Sequence, residues 1–178
     1  YYGVVVTTAS ILVPLITIQI GDALYRYLLD TESTKERQTI ISSGLTVAVI
    51  GVIIFVVAYE IFVAFRIIPY SQLVIAYIVT TVFSQLWQQM ARGLSENVVY
   101  SVSGVIQTAI MLIGNIVLIV GFRMGLEAVF ISSVSAAIVM IIYIEAKIRI
   151  LKIYEFKFFN KELTKDLARY SVPLLPNA

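Results

Sequence analysis

Three stretches of this chain run for the length of a bilayer without meeting a charge, and that limits what it can fold into. Val98–Phe122 contains no Asp, Glu, Lys or Arg, nor does Ile40–Tyr59, nor the stretch enclosed by Glu127 and Glu145. A helix needs about 20 mostly apolar residues to cross a hydrocarbon core of roughly 30 Å. Composition agrees with that origin: 60% of the residues are hydrophobic, 13% are charged and the mean hydropathy is +0.93. A water-soluble domain carries about 25% charged residues. The expected fold class is all-α, a polytopic membrane protein built as a helical bundle.

The chain reads as about five complete transmembrane helices plus the start of a sixth. Val4–Ile20 is the first, continuing into a helical end at Leu24–Leu29. Ile40–Phe65, Leu73–Met90, Val98–Phe122 and Leu126–Ile144 follow. Turn-forming separators divide them at Ile67-Ile68-Pro69-Tyr70, at Arg92–Asn97 and at Arg123-Met124-Gly125. Residues 1–148 therefore form the membrane bundle, 149–169 a connector and 170–178 the start of a further unit. The chain opens without an initiator Met or a basic leader and stops within apolar sequence, so a piece of a longer protein is expected.

Orientation follows from Lys and Arg. With alternating spans, Arg26, Lys35, Arg37, Arg92, Lys147, Arg149, Lys152, Lys157, Lys161, Lys165 and Arg169 share one side, and Arg66 and Arg123 the other. That excess marks the first side as cytoplasmic. The connector mixes these basic residues with Ile150, Leu151, Ile153, Phe156, Phe158, Phe159, Leu163 and Leu167. Such a segment either lies in the membrane interface or packs on the helix ends.

With no cysteine and no histidine, a Cys/His metal site, a thiol nucleophile and a histidine base are all excluded. Neither a cofactor nor a nucleic-acid partner is expected; the immediate partners are membrane lipids.

Polar side chains at membrane depth are costly unless they face protein or water. Thr81, Gln85, Gln88 and Arg92 recur at spacings of four, three and four, on one helical face, with Ser84 and Gln89 beside them. This stripe either lines an aqueous cavity or makes interhelical hydrogen bonds. Ser10, Pro14, Thr17 and Gly21 form a similar face on the first span, where Pro14 removes a backbone hydrogen bond and predicts a kink. That kink serves either as a bending point or as static packing. Asp22 and Arg26 stand at i and i+4, in reach of each other; Arg26 either meets a phosphate or anchors the helix end. Gly44, Ala48 and Gly51, and Ser133 with Ala137, are small-residue faces that read as packing. Asn115, beyond Gly104, Thr108 and Met111 on the fourth span, needs a polar partner at depth. Glu60, near the outer end of its helix, is the candidate for ion coupling.

Gly21-Asp22-Ala23-Leu24-Tyr25-Arg26-Tyr27-Leu28-Leu29 resembles the end of the second helix in Wzx-type polysaccharide biosynthesis flippases, of the multidrug/oligosaccharidyl-lipid/polysaccharide transporter superfamily. Ala91-Arg92-Gly93-Leu94 with Tyr100-Ser101-Val102-Ser103-Gly104 is similar to the join of their fourth and fifth helices. Tyr170-Ser171-Val172-Pro173-Leu174-Leu175-Pro176-Asn177 resembles the start of their seventh.

The resemblance implies a two-lobe transporter of which this chain holds helices two to six of the N-terminal lobe, with the interlobe connector and the start of the second lobe. Its job would be to flip an undecaprenyl-pyrophosphate-linked oligosaccharide from the cytoplasmic to the outer leaflet of a bacterial cell membrane, without covalent chemistry. Other polysaccharide-assembly membrane proteins are the implied further partners. Arg26 and Arg92 would meet the pyrophosphate, Thr81, Gln85, Gln88 and Asn115 would line the substrate path, and Pro14 would act as the hinge. One departure stands out: such flippases carry basic residues deep in the cavity, and no span here has one at its centre. A multidrug exporter of the same superfamily is the first alternative, and a membrane-embedded glycan polymerase or glycosyltransferase the second.

Overall fold

The apolar runs are helices, and their ends fall at the polar separators. In the computed structural model, which describes residues 2–65 and 69–177, α1 is Tyr2–Thr17, α2 Ile20–Leu29, α3 Thr34–Phe65 and α4 Ser71–Gly93. α5, Asn97–Asn115, continues through a π-helical segment at Ile116–Gly121, and α6 is Leu126–Ile148. No strand occurs among the described residues. Arg66 and the separator residues Ile67 and Ile68 lie outside them.

Among the described residues three helices, α3, α5 with its π continuation, and α6, are long and apolar enough to cross a membrane. The bent pair α1 and α2 makes a fourth if it counts as one span. α4 matches α6 at 23 residues, but Thr80, Thr81, Ser84, Gln85, Gln88 and Gln89 interrupt its apolar run. By length and composition the expected five spans are thus up to four. The helix that falls short is the one bearing the polar stripe. Its position explains why it is tolerated: α4 packs against α1, α2, α3, α5 and α6, so its amides meet protein and cavity instead of lipid. On α5, in contrast, Ser103 is the one buried residue.

The first span bends, but one turn beyond Pro14. Pro14 sits inside α1, and the 58° change of direction comes between Thr17 and Ile20. Ile18 and Gln19 both take φ of 51°, a left-handed conformation costly for a β-branched residue. The Gln19 amide, no longer able to bond in helical register, donates to the Pro14 carbonyl at 2.8 Å.

Lipid gives helices no hydrophobic reason to associate, so small residues that allow close approach matter. A Cβ on Gly51 would collide with the Ile16 carbonyl, and one on Gly93 would come within 2.8 Å of the Leu28 side chain. The connector packs on the helix ends: α7 (Ile150–Ile153), a 3-10 turn (Phe156–Phe158) and α8 (Lys161–Ser171). Ile150 and Leu167 are fully buried in one core with Leu24, Leu28, Ile41, Met90 and Ile144. Ser42 and Ser43 of α3 accept the backbone N–H groups of Glu155 and Asn160, each at 3.1 Å. Leu151 and Phe156 stay more than half exposed. Asn160 caps α8 by accepting from the N–H groups of Glu162 and Leu163 at 2.9 and 3.2 Å.

Candidate functional site

The polar faces of α1 and α4 meet across a cavity of about 320 Å³. All four residues of the α1–α2 face, Ser10, Pro14, Thr17 and Gly21, line it. From α4 come Gln85, Gln88, Gln89 and Arg92, from the break itself Gln19, and from the first turn of α2 Asp22. A second cavity of about 290 Å³ lies along the same helix, with Thr81, Ser84, Gln85 and Gln88 on one wall. Gln107 and Met111 of α5, Ser133 and Ala137 of α6, and Tyr2 and Tyr77 complete it. Gln85 and Gln88 belong to both. The helical spacing of the stripe thus becomes one continuous polar wall, about 16 Å from Thr81 to Arg92 at 1.5 Å per residue.

A chain of hydrogen bonds organises the first cavity. Gln89 Nε2 donates to Asp22 Oδ1 at 2.7 Å and Gln19 Nε2 to Asp22 Oδ2 at 2.9 Å. Arg92 Nη1 in turn donates to Gln89 Oε1 at 3.3 Å. Its guanidinium lies over Tyr25 at 4.4 Å and Tyr100 at 5.2 Å from the ring centroids, cation–π contacts that hold it at the cavity. Asp22 and Arg92 therefore face one another through an amide instead of pairing directly. Gln19 Oε1 is buried without a donor.

The second cavity is differently built. Gln88 Nε2 donates to Gln107 Oε1 at 3.2 Å, joining α4 to α5. The hydroxyls of Thr81 and Ser133 donate back to their own helices, to Tyr77 and Val129 carbonyls at 2.7 Å each.

Thr81, Gln85, Gln88 and Arg92 are brought together as the sequence spacing predicts, and Pro14 joins them on the cavity wall. Arg26 does not. It lines neither cavity; its guanidinium lies 4.9 Å from the Tyr170 ring on α8, and Asp22, its expected partner, is taken by the two glutamines. Asn115 also lies off both cavities, at the start of the π segment, with Oδ1 buried and without a hydrogen-bond partner. Glu60 is exposed and accepts from Gln72 at 3.4 Å, away from either cavity.

Sequence reasoning missed Gln19 and Asp22 as cavity residues. Asp22 and Gln89 stand 67 residues apart, and no local pattern joins them. Ser133 and Ala137, expected as packing, face the second cavity. Glu145, without an assigned role, accepts from the Trp87 indole at 3.2 Å and from the Leu151 amide at 3.0 Å.

A model of the polysaccharide biosynthesis protein family matches residues 1–177. No curated protein and no solved structure matches the chain.

Proposed function

Because the chain belongs to the polysaccharide biosynthesis protein family, we propose that it is part of a multi-pass carrier that flips a lipid-linked oligosaccharide. The cargo is an undecaprenyl-pyrophosphate-linked repeat unit, taken from the cytoplasmic to the outer leaflet of a bacterial cell membrane by alternating access. Residues 1–148 serve as part of the first lobe and 149–169 as the connector. Residues 170–178 serve as the start of the second lobe.

The observation that carries this reading is the polar wall of α4, shared by two adjoining cavities inside a bundle otherwise faced with apolar residues. Amide and hydroxyl groups can exchange hydrogen bonds with the hydroxyls of a sugar that has left water. Arg92, at the end of the wall and steadied by two tyrosines, presents a planar guanidinium suited to phosphate oxygens. The roles given to the residues are then binding and orientation: Arg92 for the pyrophosphate, and Thr81, Gln85 and Gln88 for the glycan. Arg26, engaged by Tyr170, serves to hold the connector.

The reading is tested by replacing Gln85 and Gln88 with leucine in the full-length protein. Surface polysaccharide should fall, with the lipid-linked intermediate accumulating in the cytoplasmic leaflet. Wild-type polysaccharide in that strain removes the wall from the substrate path.

A further inference from the structure

We propose that the outer side of the connector docks on anionic phospholipid headgroups at this end of the bundle. Leu151 and the paired rings of Phe156 and Phe159 enter the bilayer surface, with Lys152, Lys157 and Lys161 around them. Docking requires only that the bundle spans a bilayer and is independent of the cargo it carries.

The level of the connector is set by α3. The N–H groups of Glu155 and Asn160 end on Ser42 and Ser43, just inside the uncharged run Ile40–Tyr59. About two and three turns further along, a helix returns to the same face, so Val49, Ile50, Ile53 and Ile54 stand above these serines. Those four are 41–64% exposed, whereas every residue from Ile40 to Thr46 is buried. On this face the connector covers α3 at Ser42 and Ser43, and bare apolar surface begins about 9 Å higher, at 1.5 Å per residue. Lipid wets such a surface. The connector therefore lies where acyl chains give way to headgroups, the level at which amphipathic segments seat their apolar side chains.

Its outer side suits that level. Leu151 is 57% and Phe156 68% exposed, and the Phe156 and Phe159 rings lie parallel with centroids 6.1 Å apart. Exposed apolar side chains rimmed by charge mark a surface that meets a membrane or a protein. Depth and charge together select the membrane. From Lys147 to Lys161 five exposed basic side chains, Lys147, Arg149, Lys152, Lys157 and Lys161, stand against one acidic, Glu155. The excess is confined to this stretch, since α8 beyond it sets Glu162 and Asp166 beside Lys165 and Arg169. It complements the negative headgroups of a bilayer, where each Lys or Arg strengthens binding about fivefold. Lysine also lays its stem along apolar surface while its ammonium stays among phosphates.

The test uses the full-length protein in a cysteine-free background, reconstituted in vesicles of phosphatidylcholine mixed with phosphatidylglycerol. A nitroxide on Phe156→Cys should collide with oxygen, which concentrates in the bilayer, several-fold more than with a water-soluble nickel chelate. The same label on Glu36→Cys, about 9 Å farther out along α3 than Ser42, should show the reverse. Replacing Lys152, Lys157 and Lys161 together with glutamine should lower the preference for phosphatidylglycerol over phosphatidylcholine, read from the lipids retained in native mass spectra, at least about fivefold. A Phe156 label open to nickel overturns the docking. So does one shielded from both reagents, which would put protein over this face. A triple variant that keeps the wild-type lipid preference overturns it as well. None of these outcomes bears on the carrier reading, which stands or falls on surface polysaccharide when Gln85 and Gln88 are replaced.

Discussion

Replacing Asp22 with alanine removes two hydrogen-bond acceptors at once, and the consequence can be worked from the geometry. Gln89 Nε2 and Gln19 Nε2 both end on this carboxylate. Hydrogen bonds to a charged group contribute about 1.5–3 kcal/mol each. Both amides are only half-buried, which favours the lower end, so Asp22→Ala should cost about 3–4 kcal/mol. Asparagine should behave differently. Its Oδ1 still accepts from Gln89, while its Nδ2 now confronts the Gln19 amino group. A half-turn of the Gln19 amide resolves the clash, because Gln19 Oε1 is buried without a donor and would then accept from Asn Nδ2. The remaining loss is the charge assistance, about 1 kcal/mol. In a bundle of this size, thermal unfolding in detergent should show Tm lowered on the order of 10 °C for alanine and about 2–4 °C for asparagine. Equal shifts for the two variants would refute the amide relay between α2 and α4.

Tyr170→Leu removes the ring beneath Arg26, a contact of about 0.5–2 kcal/mol, and should raise amide hydrogen exchange across 161–171, whereas Tyr170→Phe, which keeps the ring and loses only the hydroxyl beside Arg26, should raise it less. Gly51→Ala should destabilise by about 1–3 kcal/mol through overpacking, since the new methyl meets the Ile16 carbonyl; an unchanged melting temperature counts against that contact. Single cysteines at Lys35, Lys157 and Arg123, placed in a cysteine-free full-length background, report topology. An impermeant maleimide should label Arg123→Cys in intact cells and reach the other two only after lysis.

The strongest regularities were visible in the sequence because they are local. Uncharged runs at 98–122 and 128–144 became the greater part of α5 and α6, and the spacing of Thr81, Gln85, Gln88 and Arg92 survived folding because a helix preserves any interval of three or four residues. What the sequence concealed depends on partners remote along the chain. Arg26 has Asp22 one turn away, yet its closest companion is Tyr170, and Asp22 turns to Gln89. The joint at Ile18–Gln19 was hidden for another reason. Thr17-Ile18-Gln19-Ile20 contains neither glycine nor proline, the residues that ordinarily mark such a break, so Pro14 drew the expectation one turn too early. Charge alone could not locate the polar centre either, since all of the wall but Arg92 is neutral amide and hydroxyl.

The connector has no slack. Ile150 is embedded at its start, the amides of Glu155 and Asn160 are tied to α3 in its middle, and Leu167 and Tyr170 seat its end beside α2. Between Ile148 and Ser171 the chain is therefore tied to the helices beneath it at its start, middle and end. A force applied beyond Ser171 passes straight to α2, the helix on the far side of the strained Ile18–Gln19 joint and the one that carries Asp22 into the cavity.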